Sequence, residues 1–536
     1  MMQQEQPPMN AERLLAHYER IADAPDAIAR LRRFILDLAV RGKLVPQDAN
    51  DEPASELLKR IAKEKARLVK AGEIRTPKAI PALAETPFSI PSNWRWSQLA
   101  EIGVLSPRNE APDTLEASFV PMLLIAAEYG VSNQHEIRPW GEIKKGYTHF
   151  AEGDVGLAKI TPCFENGKSA VFRNLTGGLG AGTTELHIVR PLFVDQDFIL
   201  LFLKSPHFIE TGIPKMTGTA GQKRVPTEYF AHSPFPLPPL AEQHRIVTKV
   251  DELMGLCDRL EAARGSREAT RDRLAAASLA RLNAPDPETF EADARFTLNA
   301  LPALTTRPDQ IKRLRQTILN LAVRGKLAPQ GESSQTTEIE LESLVKIVRG
   351  SSPRPKGDPR YYGGPVPRLL IADITRDGKY VIPQLDTLTV EGAKLSRPMP
   401  KGSLVLAISG SYGVPAFLAV DACIHDGFIG FRDVSRKVDP EYLFLVMLFR
   451  RPYFDDVVKD SGLKNLTTEH LKRLVVPLPP LAEQHRIVAK VDALMALCDR
   501  LEASLTATAA TRRRLLDALL AEALAPVDTR ELEATE

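Results

Sequence analysis

The chain has 536 residues, of which 43% are hydrophobic and 26% are charged, and these are ordinary values for a globular protein. The length corresponds to about three or four domains of roughly 150 residues, which excludes a single small domain. The 70 lysines and arginines stand against 68 aspartates and glutamates, so the net charge does not mark a nucleic-acid-binding protein and any basic surface must be local.

Cysteine usage and hydropathy favour a cytoplasmic protein. The four cysteines are scattered and form no CxxC pair, so we expect neither a disulfide framework nor a bound metal. The longest strongly apolar runs, residues 198–203 and 442–449, are far shorter than the ~20 residues of a membrane span. The first ten residues, MMQQEQPPMN, do not have the pattern of a signal peptide.

Two phrases occur twice in the chain. LAVRGKL begins at Leu38 and again at Leu321, an offset of 283 residues, and PLPPLAEQHRIV begins at Pro236 and again at Pro477, an offset of 241 residues. Each copy therefore runs from the first phrase, through a long variable stretch, to the second phrase. The offsets differ by 42 residues, and we expect a polar helix over residues 54–71 to account for much of this excess in the first copy.

Both repeated phrases predict helices. Apolar residues around the first phrase have helical spacing between Pro25 and Gly42 and between Pro308 and Gly325. After the second phrase they follow the alternating spacing of a heptad seam, which requires a partner helix. The predicted interface residues are Ile246, Val250, Leu253, Cys257 and Leu260 in the first copy and Ile487, Val491, Leu494, Cys498 and Leu501 in the second. A helix of about 40 residues here would span about 60 Å.

The variable stretches predict α+β domains. They contain frequent Gly and Pro, short β-rich runs such as residues 154–160 and 402–409, and one apolar helix late in each. Residues 283–310 have the composition of a linker, and GGLGAG at 177–182 is expected to be a hairpin loop. The fold class we expect is α+β, with two globular domains joined by two long antiparallel helical spacer elements in a pseudo-twofold repeat.

The predicted organisation has six segments. They are an N-terminal shared helical element at 1–48, a polar helix and linker at 49–93, a first variable domain at 94–235, central shared helices at 236–340, a second variable domain at 341–476, and a C-terminal shared helix and tail at 477–536.

The order of these phrases resembles the DNA-specificity subunits of type I restriction–modification systems over nearly the whole chain. The similarity also includes ASELLKRIAKEKARLVKAGEIR from Ala54 and KITPCFENGK from Lys159. The resemblance implies two target recognition domains, each reading one half of a split double-stranded DNA site, and helices that form an antiparallel coiled coil, set the spacing and dock two methyltransferase subunits. It further implies that restriction/translocase subunits join the complex. No cofactor is then expected on this chain, because S-adenosylmethionine, ATP and Mg would belong to partner subunits.

The sequence offers no clear catalytic residue. A Walker A loop ending at Gly167-Lys168 would need glycine where Pro162 stands, and no amino-methylation motif is present. His244 and His485 lie in identical helix starts, where a helix-surface or interface role is favoured over acid–base chemistry. The competing interpretations are a self-contained methyltransferase or nuclease and a helical scaffold with no nucleic-acid role.

Local charge suggests where DNA would bind. Residues 341–476 carry 20 basic against 15 acidic residues, whereas residues 94–235 carry 13 against 15. The opening loop of the second variable stretch combines positive charge with aromatic faces, through Arg349, Arg354, Lys356, Arg360, Tyr361 and Tyr362. The alternative is a solvated loop with packed tyrosines.

A second candidate follows from the repeat register, which aligns GQKRVPTE from Gly221 with GLKNLTTE from Gly462. A loop shared by two divergent domains could bind phosphates, or it could be a fixed structural entry into the following helix. The predicted DNA-binding residues in and near these loops are Lys464 and Asn465 in the second copy and Lys159, Lys168, Gln222, Lys223 and Arg224 in the first.

Overall fold

The computed structural model describes residues 23–83, 85–219, 221–284, 286, 288–327, 336–410, 412–460 and 466–524. Its contacts divide the chain into two compact units. The first unit comprises residues 1–266 and 509–536, and the second comprises residues 267–508. Each unit contains one variable stretch together with helices from both ends of the repeat.

Fifteen α-helices are assigned in the described residues. They are α1 Ala27–Val40, α2 Ala54–Lys70, α3 Leu99–Ile102, α4 Trp140–Ile143, α5 Gln196–Lys204, α6 Pro206–Gly212, α7 Thr227–His232, α8 Leu240–Asn283, α9 Phe290–Leu304, α10 Pro308–Val323, α11 Ile371–Asp377, α12 Val390–Leu395, α13 Pro440–Asp460, α14 Thr468–Lys472 and α15 Leu481–Leu524. Helices α8 and α15 each have 44 residues, a length of about 66 Å at 1.5 Å per residue.

The strands fall within the two variable stretches and their borders. In the first they are β1 Arg95–Ser97, β2 Gly103–Leu105, β3 Glu116–Val120, β4 Glu136–Pro139, β5 Thr148–Ala151, β6 Val155–Ala158, β7 Ser169–Val171, β8 Leu179–Gly182, β9 Leu186–Pro191 and β10 Phe235–Leu237. In the second they are β11 Thr337–Glu340, β12 Lys346–Arg349, β13 Tyr362–Leu369, β14 Tyr380–Val381, β15 Asp386–Leu388, β16 Arg397–Met399, β17 Leu404–Ala407, β18 Pro415–Leu418, β19 Ala422–Ile424, β20 Phe428–Arg432 and β21 Val475–Leu478.

The two variable stretches share one sheet topology. In the first, the sheets have the orders β4-β3-β8-β5 and β2-β9-β6-β7, and in the second they have the orders β15-β13-β19-β16 and β12-β20-β17-β18-β14. Strands β3 and β8 pair in parallel, as do their counterparts β13 and β19. Strand β14 is the one addition, and it lies at the edge of its sheet. We call these two folded bodies the first and second globules.

A two-stranded antiparallel ribbon brings the start and end of each globule together. Strand β1 pairs with β10, with Trp96 opposite Pro236, and β11 pairs with β21, with Glu338 opposite Pro477. Both ribbons end just before a long helix, at the PLPP of the repeated phrase. The chain therefore enters and leaves each globule at one place, next to the start of α8 or α15.

In the first unit, the heptad seam of α8 packs against α1. Ile246, Val250 and Cys257 are buried in one core with Ile35 of α1, and Leu253 packs against that core while half-buried. Arg32 of α1 donates to Asp258 and Glu261 of α8, at 2.7 Å each. The predicted seam ends early, because Leu260 is 39% exposed.

The second unit repeats this packing with α10 and α15. Ile487, Val491 and Cys498 are buried with Ile311 and Ile318 of α10, while Leu494 and Leu501 are half-buried against the same core. Arg315 contacts Asp499 and Glu502 at 2.8 Å each, which are the repeat equivalents of the residues that Arg32 contacts. The partner of each seam is thus the shared helix that contains LAVRGKL.

The opposite end of each long helix contacts the other copy of that shared helix. In the first unit, Leu516 and Leu519 of α15 are buried with Ala24 and Ala27, and Asp517 pairs with Arg30. In the second unit, the side chain of Asn320 in α10 donates to Asn283 at the end of α8. The expected α+β class, with two globules, long helices and an internal repeat, is confirmed.

The structure corrects two local predictions. Residues 283–310, predicted as a linker from their composition, contain helix α9. Residues 179–182 of GGLGAG form strand β8 and not a hairpin loop, because glycine lets the strand lie close to its neighbours: a Cβ at Gly180 would lie 2.3 Å from the Ser118 carbonyl oxygen. Among the described residues, no helix combines the length and apolarity that crossing a membrane requires.

Candidate nucleic-acid interface

The first globule has a basic cleft of about 570 Å³ at one end of its sheets. Its walls come from five segments: the loop after β2, the turn before β5 with the start of that strand, the residue after β6, the turn between β8 and β9 with the start of β9, and Thr227 at the start of α7. The basic side chains in its lining are Arg108, Lys144, Lys145 and Lys159, and no Asp or Glu belongs to the lining.

These four cations differ in their exposure and in whether they already pair with a carboxylate. The Lys144 ammonium group lies 2.5 Å from the Asp113 carboxylate, and the side chain of Lys159 is half-buried. Arg108 and Lys145 are exposed and form no ion pair within the part of the chain that the structure describes. An anion in the cleft would therefore meet Arg108 and Lys145 first, and phosphate is the anion that Arg and Lys bind in nucleic acids.

Two histidines in the cleft wall are structural. The Nδ1 atom of His149 accepts the backbone N–H of Asn109 at 3.3 Å, so the Nε2 proton is donated to the carbonyl of Lys144 at 2.8 Å. His187 donates from Nε2 to the carbonyl of Val225 at 3.1 Å. Burial lowers the pKa of both imidazoles, which keeps them neutral. The positive charge of the cleft therefore comes from its Arg and Lys residues.

Four of the five predicted residues of the first globule lie in or beside this cleft, and Lys168 does not belong to its lining. Lys159 lines it, and the segment that carries Gln222, Lys223 and Arg224 is joined to the strand end at Lys159 by backbone hydrogen bonds, such as Val225 N–H to Lys159 O at 2.8 Å. Gln222 and Lys223 are exposed. Lys168 donates instead to the Met122 carbonyl at 3.1 Å, which ties its charge to the protein.

Arg224 is also paired with another residue of the protein. Its guanidinium group binds the Glu185 carboxylate through two parallel hydrogen bonds of 2.9 and 2.8 Å, and this guanidinium lowers the pKa of Glu185. The pairing favours a structural role for this part of GQKRVPTE. Lys464 and Asn465, the corresponding predictions in GLKNLTTE, lie outside the described residues.

In the second globule, the predicted basic loop follows β12. Arg354, Lys356 and Arg360 are exposed on it. Arg360 binds the Asp358 carboxylate at 2.7 Å and lies 5.3 Å from the ring centre of Tyr361, whereas Arg354 is 3.7 Å from Asp426. Lys356 has no ion pair among the described residues, so the loop presents one unpaired cation and two cations that are already paired with carboxylates.

A hydrogen-bond network fixes the backbone of this loop. The Tyr362 hydroxyl donates to the Pro353 carbonyl at 2.9 Å, and the Ser352 hydroxyl donates to Asp426 at 2.7 Å. From below, the buried Arg368 donates to the Ser352 hydroxyl at 2.8 Å and forms an ion pair with Asp386. Tyr362 is thus an anchor of the loop, which matches the alternative of a packed tyrosine, while the cations remain at its surface.

The basic loop and the basic cleft occupy equivalent places in the shared topology. The loop after β12 contacts the turn before β16 through Ser351 and Ser396, whose hydroxyl donates to the Ser351 carbonyl at 2.7 Å. It also contacts the turn between β19 and β20, where Arg349 donates to the Asp426 carbonyl at 3.4 Å. These three segments correspond in the shared topology to the loop after β2, the turn before β5 and the turn between β8 and β9, which form three of the walls of the first cleft. Gly350 permits this close approach, because a Cβ there would lie 2.0 Å from the His425 carbonyl oxygen.

Sequence reasoning missed several of these cations. Arg108, Lys144 and Lys145 were not selected, and Lys394, three residues before β16 as Lys145 is before β5, was missed as well. The available signal was a lysine or lysine pair just before a short strand in each stretch. It is weak by itself, because only the shared topology shows that the two positions correspond.

No group of three or more His, Cys, Asp or Glu side chains within the described residues could hold a metal ion. Cys257, Cys423 and Cys498 are buried and unpaired, and burial raises the pKa of each thiol. Among the described residues, the candidate binding features are therefore two basic surfaces, one on each of two globules that share a topology.

Comparison with known proteins agrees with this arrangement. A family model described as the type I restriction modification DNA specificity domain matches residues 337–509. The specificity subunit of the type I restriction enzyme EcoEI of Escherichia coli is 37% identical over 560 residues, covering 93% of this chain and 94% of that protein. The EcoAI specificity subunit of Escherichia coli is 34% identical over 564 residues, covering 92% and 93%.

A solved structure described as the structural basis of complex assembly and conformational transition of the type I R-M system contains a chain of the same fold. It has a TM-score of 0.53 and 20% identity, and it covers 82% of this chain and 99% of that one. Since both curated alignments extend over nearly the whole sequence, the chain belongs to the family of DNA specificity subunits of type I restriction–modification systems.

Proposed function

We propose that the first and second globules, residues 94–235 and 341–476, are the two target recognition domains of this specificity subunit, and that each reads one half of a bipartite double-stranded DNA site. The chain supplies recognition and no chemical step, and it acts in the cytoplasm. S-adenosylmethionine, ATP and Mg would be bound by its partner subunits.

One observation supports this assignment above the others. The cleft with Arg108 and Lys145 and the loop with Arg354 and Lys356 occur at the same place in the same sheet topology. Because phosphate contacts position a protein on DNA without reading sequence, a shared place for cations is expected of two modules that dock alike. Divergent side chains around that place would then read different bases.

Genome-wide mapping of N6-methyladenine tests the proposal. Cells would express this chain with its neighbouring methyltransferase gene, with and without charge reversal in one globule at a time: Arg108→Glu with Lys145→Glu, or Arg354→Glu with Lys356→Glu. We expect a split motif of two short halves around a fixed run of unspecified bases, and a loss of methylation with either double variant. A methylation pattern that does not depend on this chain would refute the proposal.

We further propose that two methyltransferase subunits dock on the repeated helices and that restriction/translocase subunits join that complex. Leu256 of α8 and its repeat equivalent Leu497 of α15 are 39% and 52% exposed, although each lies one residue from a buried cysteine of the seam. An exposed leucine repeated in both copies is the feature expected where one kind of partner binds twice.

Native mass spectrometry of the purified complex tests this stoichiometry. Leu256→Asp or Leu497→Asp alone should reduce the number of bound methyltransferase subunits from two to one, and the double variant should bind none. Thr248→Ala, an exposed position on α8, is the control and should keep both. Retention of both subunits by the double variant would contradict the proposed docking surface.

A further inference from the structure

The repeated Gln-His pair at the start of each long helix contacts the central helix of its globule. In the first unit, the Gln243 side-chain oxygen accepts the backbone N–H of Asp195 at 2.9 Å, and its Nε2 donates to the Pro238 carbonyl at 2.9 Å. In the second unit, Gln484 accepts the N–H of Asp439 at 2.8 Å and donates to the Pro479 carbonyl at 2.8 Å.

The aspartate in each contact also caps a helix. The Asp195 carboxylate accepts the backbone N–H groups of Asp197 and Phe198 at the start of α5, and Asp439 accepts the N–H of Glu441 at the start of α13. The other oxygen of each carboxylate faces a histidine of the long helix, His244 at 3.3 Å and His485 at 3.6 Å. One side chain therefore joins the first turn of the globule's helix to the first turn of the spacer helix.

The surroundings of these contacts oppose rotation of the globule on its long helix. Gln243 and Gln484 are fully buried and their hydrogen bonds are buried or part-buried, so loss of either side chain would leave backbone groups unpaired at a cost. Helix α5 is the apolar centre of the first globule, with Phe198, Ile199 and Phe202 buried in the same core as Ile246 of α8. Turning the globule on α8 would break both the Gln243 contacts and this packing.

We propose that these two Gln-His-Asp contacts, which we call clamps, are positioning elements that fix the orientation of each recognition domain on its helix and so determine which spacer length between the half-sites the complex accepts. The proposal rests on the assigned DNA recognition. A domain of about 140 residues has a radius of gyration of about 14 Å, so a surface point lies up to about 30 Å from its clamp. A rotation of about 10° would move that point by about 5 Å, which exceeds the ~3.4 Å rise of one base pair.

The experiment measures spacer tolerance in the complete complex. Cells would express the methyltransferase partner with the wild-type chain, Gln243→Ala or Gln484→Ala, and would carry a plasmid library with the native half-sites separated by the native spacer or by one base pair more or less. Long-read sequencing gives the ratio of methylation at native to altered spacers. Loss of a buried hydrogen-bonding side chain should lower this ratio by about tenfold with either variant, while both half-site sequences stay unchanged.

Two further variants keep the test decisive. Gln243→Glu retains the acceptor for the Asp195 N–H but loses the donor to Pro238, so it should give an intermediate ratio and it replaces Gln243→Ala if that variant does not fold. Thr248→Ala on the same helix is the control and should behave as the wild type. A parallel loss of methylation at all spacers, with an unchanged ratio and a lower melting temperature, would reduce the clamps to ordinary fold contacts and overturn the inference. If even the wild-type chain directed no split motif, the proposed function would fail instead.

Discussion

Removing the two free cations of the first cleft should weaken DNA binding in a way that salt reports quantitatively. The perturbation is Arg108→Ala with Lys145→Ala, and neither side chain pairs with a carboxylate among the described residues. The fold should be unaffected, because both side chains are exposed. The loss should therefore be confined to contacts with DNA.

The size of the effect follows from counterion release. Each phosphate contact contributes about 0.9 to the slope of log K against log salt, so loss of two contacts should flatten the slope by about 1.8. At about 0.15 M salt this corresponds to an affinity lower by about 30-fold. Lys144 is left in place because its charge is already shared with Asp113 at 2.5 Å, and it should contribute less than a full contact.

The assay is fluorescence anisotropy of the assembled complex with a labelled duplex that contains the mapped motif, at salt concentrations from about 0.05 to 0.3 M. Lys59→Ala with Lys63→Ala on α2 is the matched control, because it removes the same charge from exposed positions outside the cleft. A slope for Arg108→Ala/Lys145→Ala equal to that of the wild type, or an equal change in the control, would refute the assignment of the cleft.

Three stability predictions follow from contacts elsewhere. Arg32→Ala and Arg315→Ala should each cost about 1 kcal/mol, because they remove equivalent, partly exposed ion pairs, and clearly unequal losses in thermal melting would contradict the equivalence. Burial lowers the pKa of Lys204 to about 7 from 10.5, so from pH 7 to 9 the unfolded state holds the proton that the folded state loses, and stability should rise with pH. Lys204→Met should lack that rise, and equal pH slopes for the two proteins would refute it. Gly180→Ala should destabilise the first globule by about 1–3 kcal/mol through overpacking. Gly265→Ala, in open space on α8, should instead stabilise the protein by up to about 1 kcal/mol. Equal changes in stability for the two variants in calorimetry would contradict this difference.

The helical part of the fold was readable from the sequence because the same phrases occur twice. Proline and glycine at the borders of LAVRGKL and the heptad spacing after PLPP located α1, α8, α10 and α15 closely. The partner of the heptad seam was not readable. Periodicity shows that a face is apolar but does not identify what covers it, and here α1 and α10 cover it.

Errors occurred where tertiary contacts override composition. GGLGAG has the glycines of a turn, yet residues 179–182 form a central strand. The neighbouring strands of the sheet leave no room there for a side chain. Helix α9 lies in a segment whose prolines and alanines suggested a linker. In both cases the local composition was described correctly, but the secondary structure that it adopts depends on contacts with residues distant in sequence.

By itself, the sequence determined the duplicated plan, the long helices, the α+β class of the variable stretches and the family, since these depend on local pattern and on repeated words. Only the tertiary structure decided which cations gather into a surface. Arg108, Lys145 and Lys159 lie 37 and 14 residues apart in the chain, and they meet because the strand order brings three loops to one end of the first globule. Similarly, the sequence shows that Gln243 and Gln484 are repeated, but only the fold shows that each accepts the backbone N–H of a helix-capping aspartate.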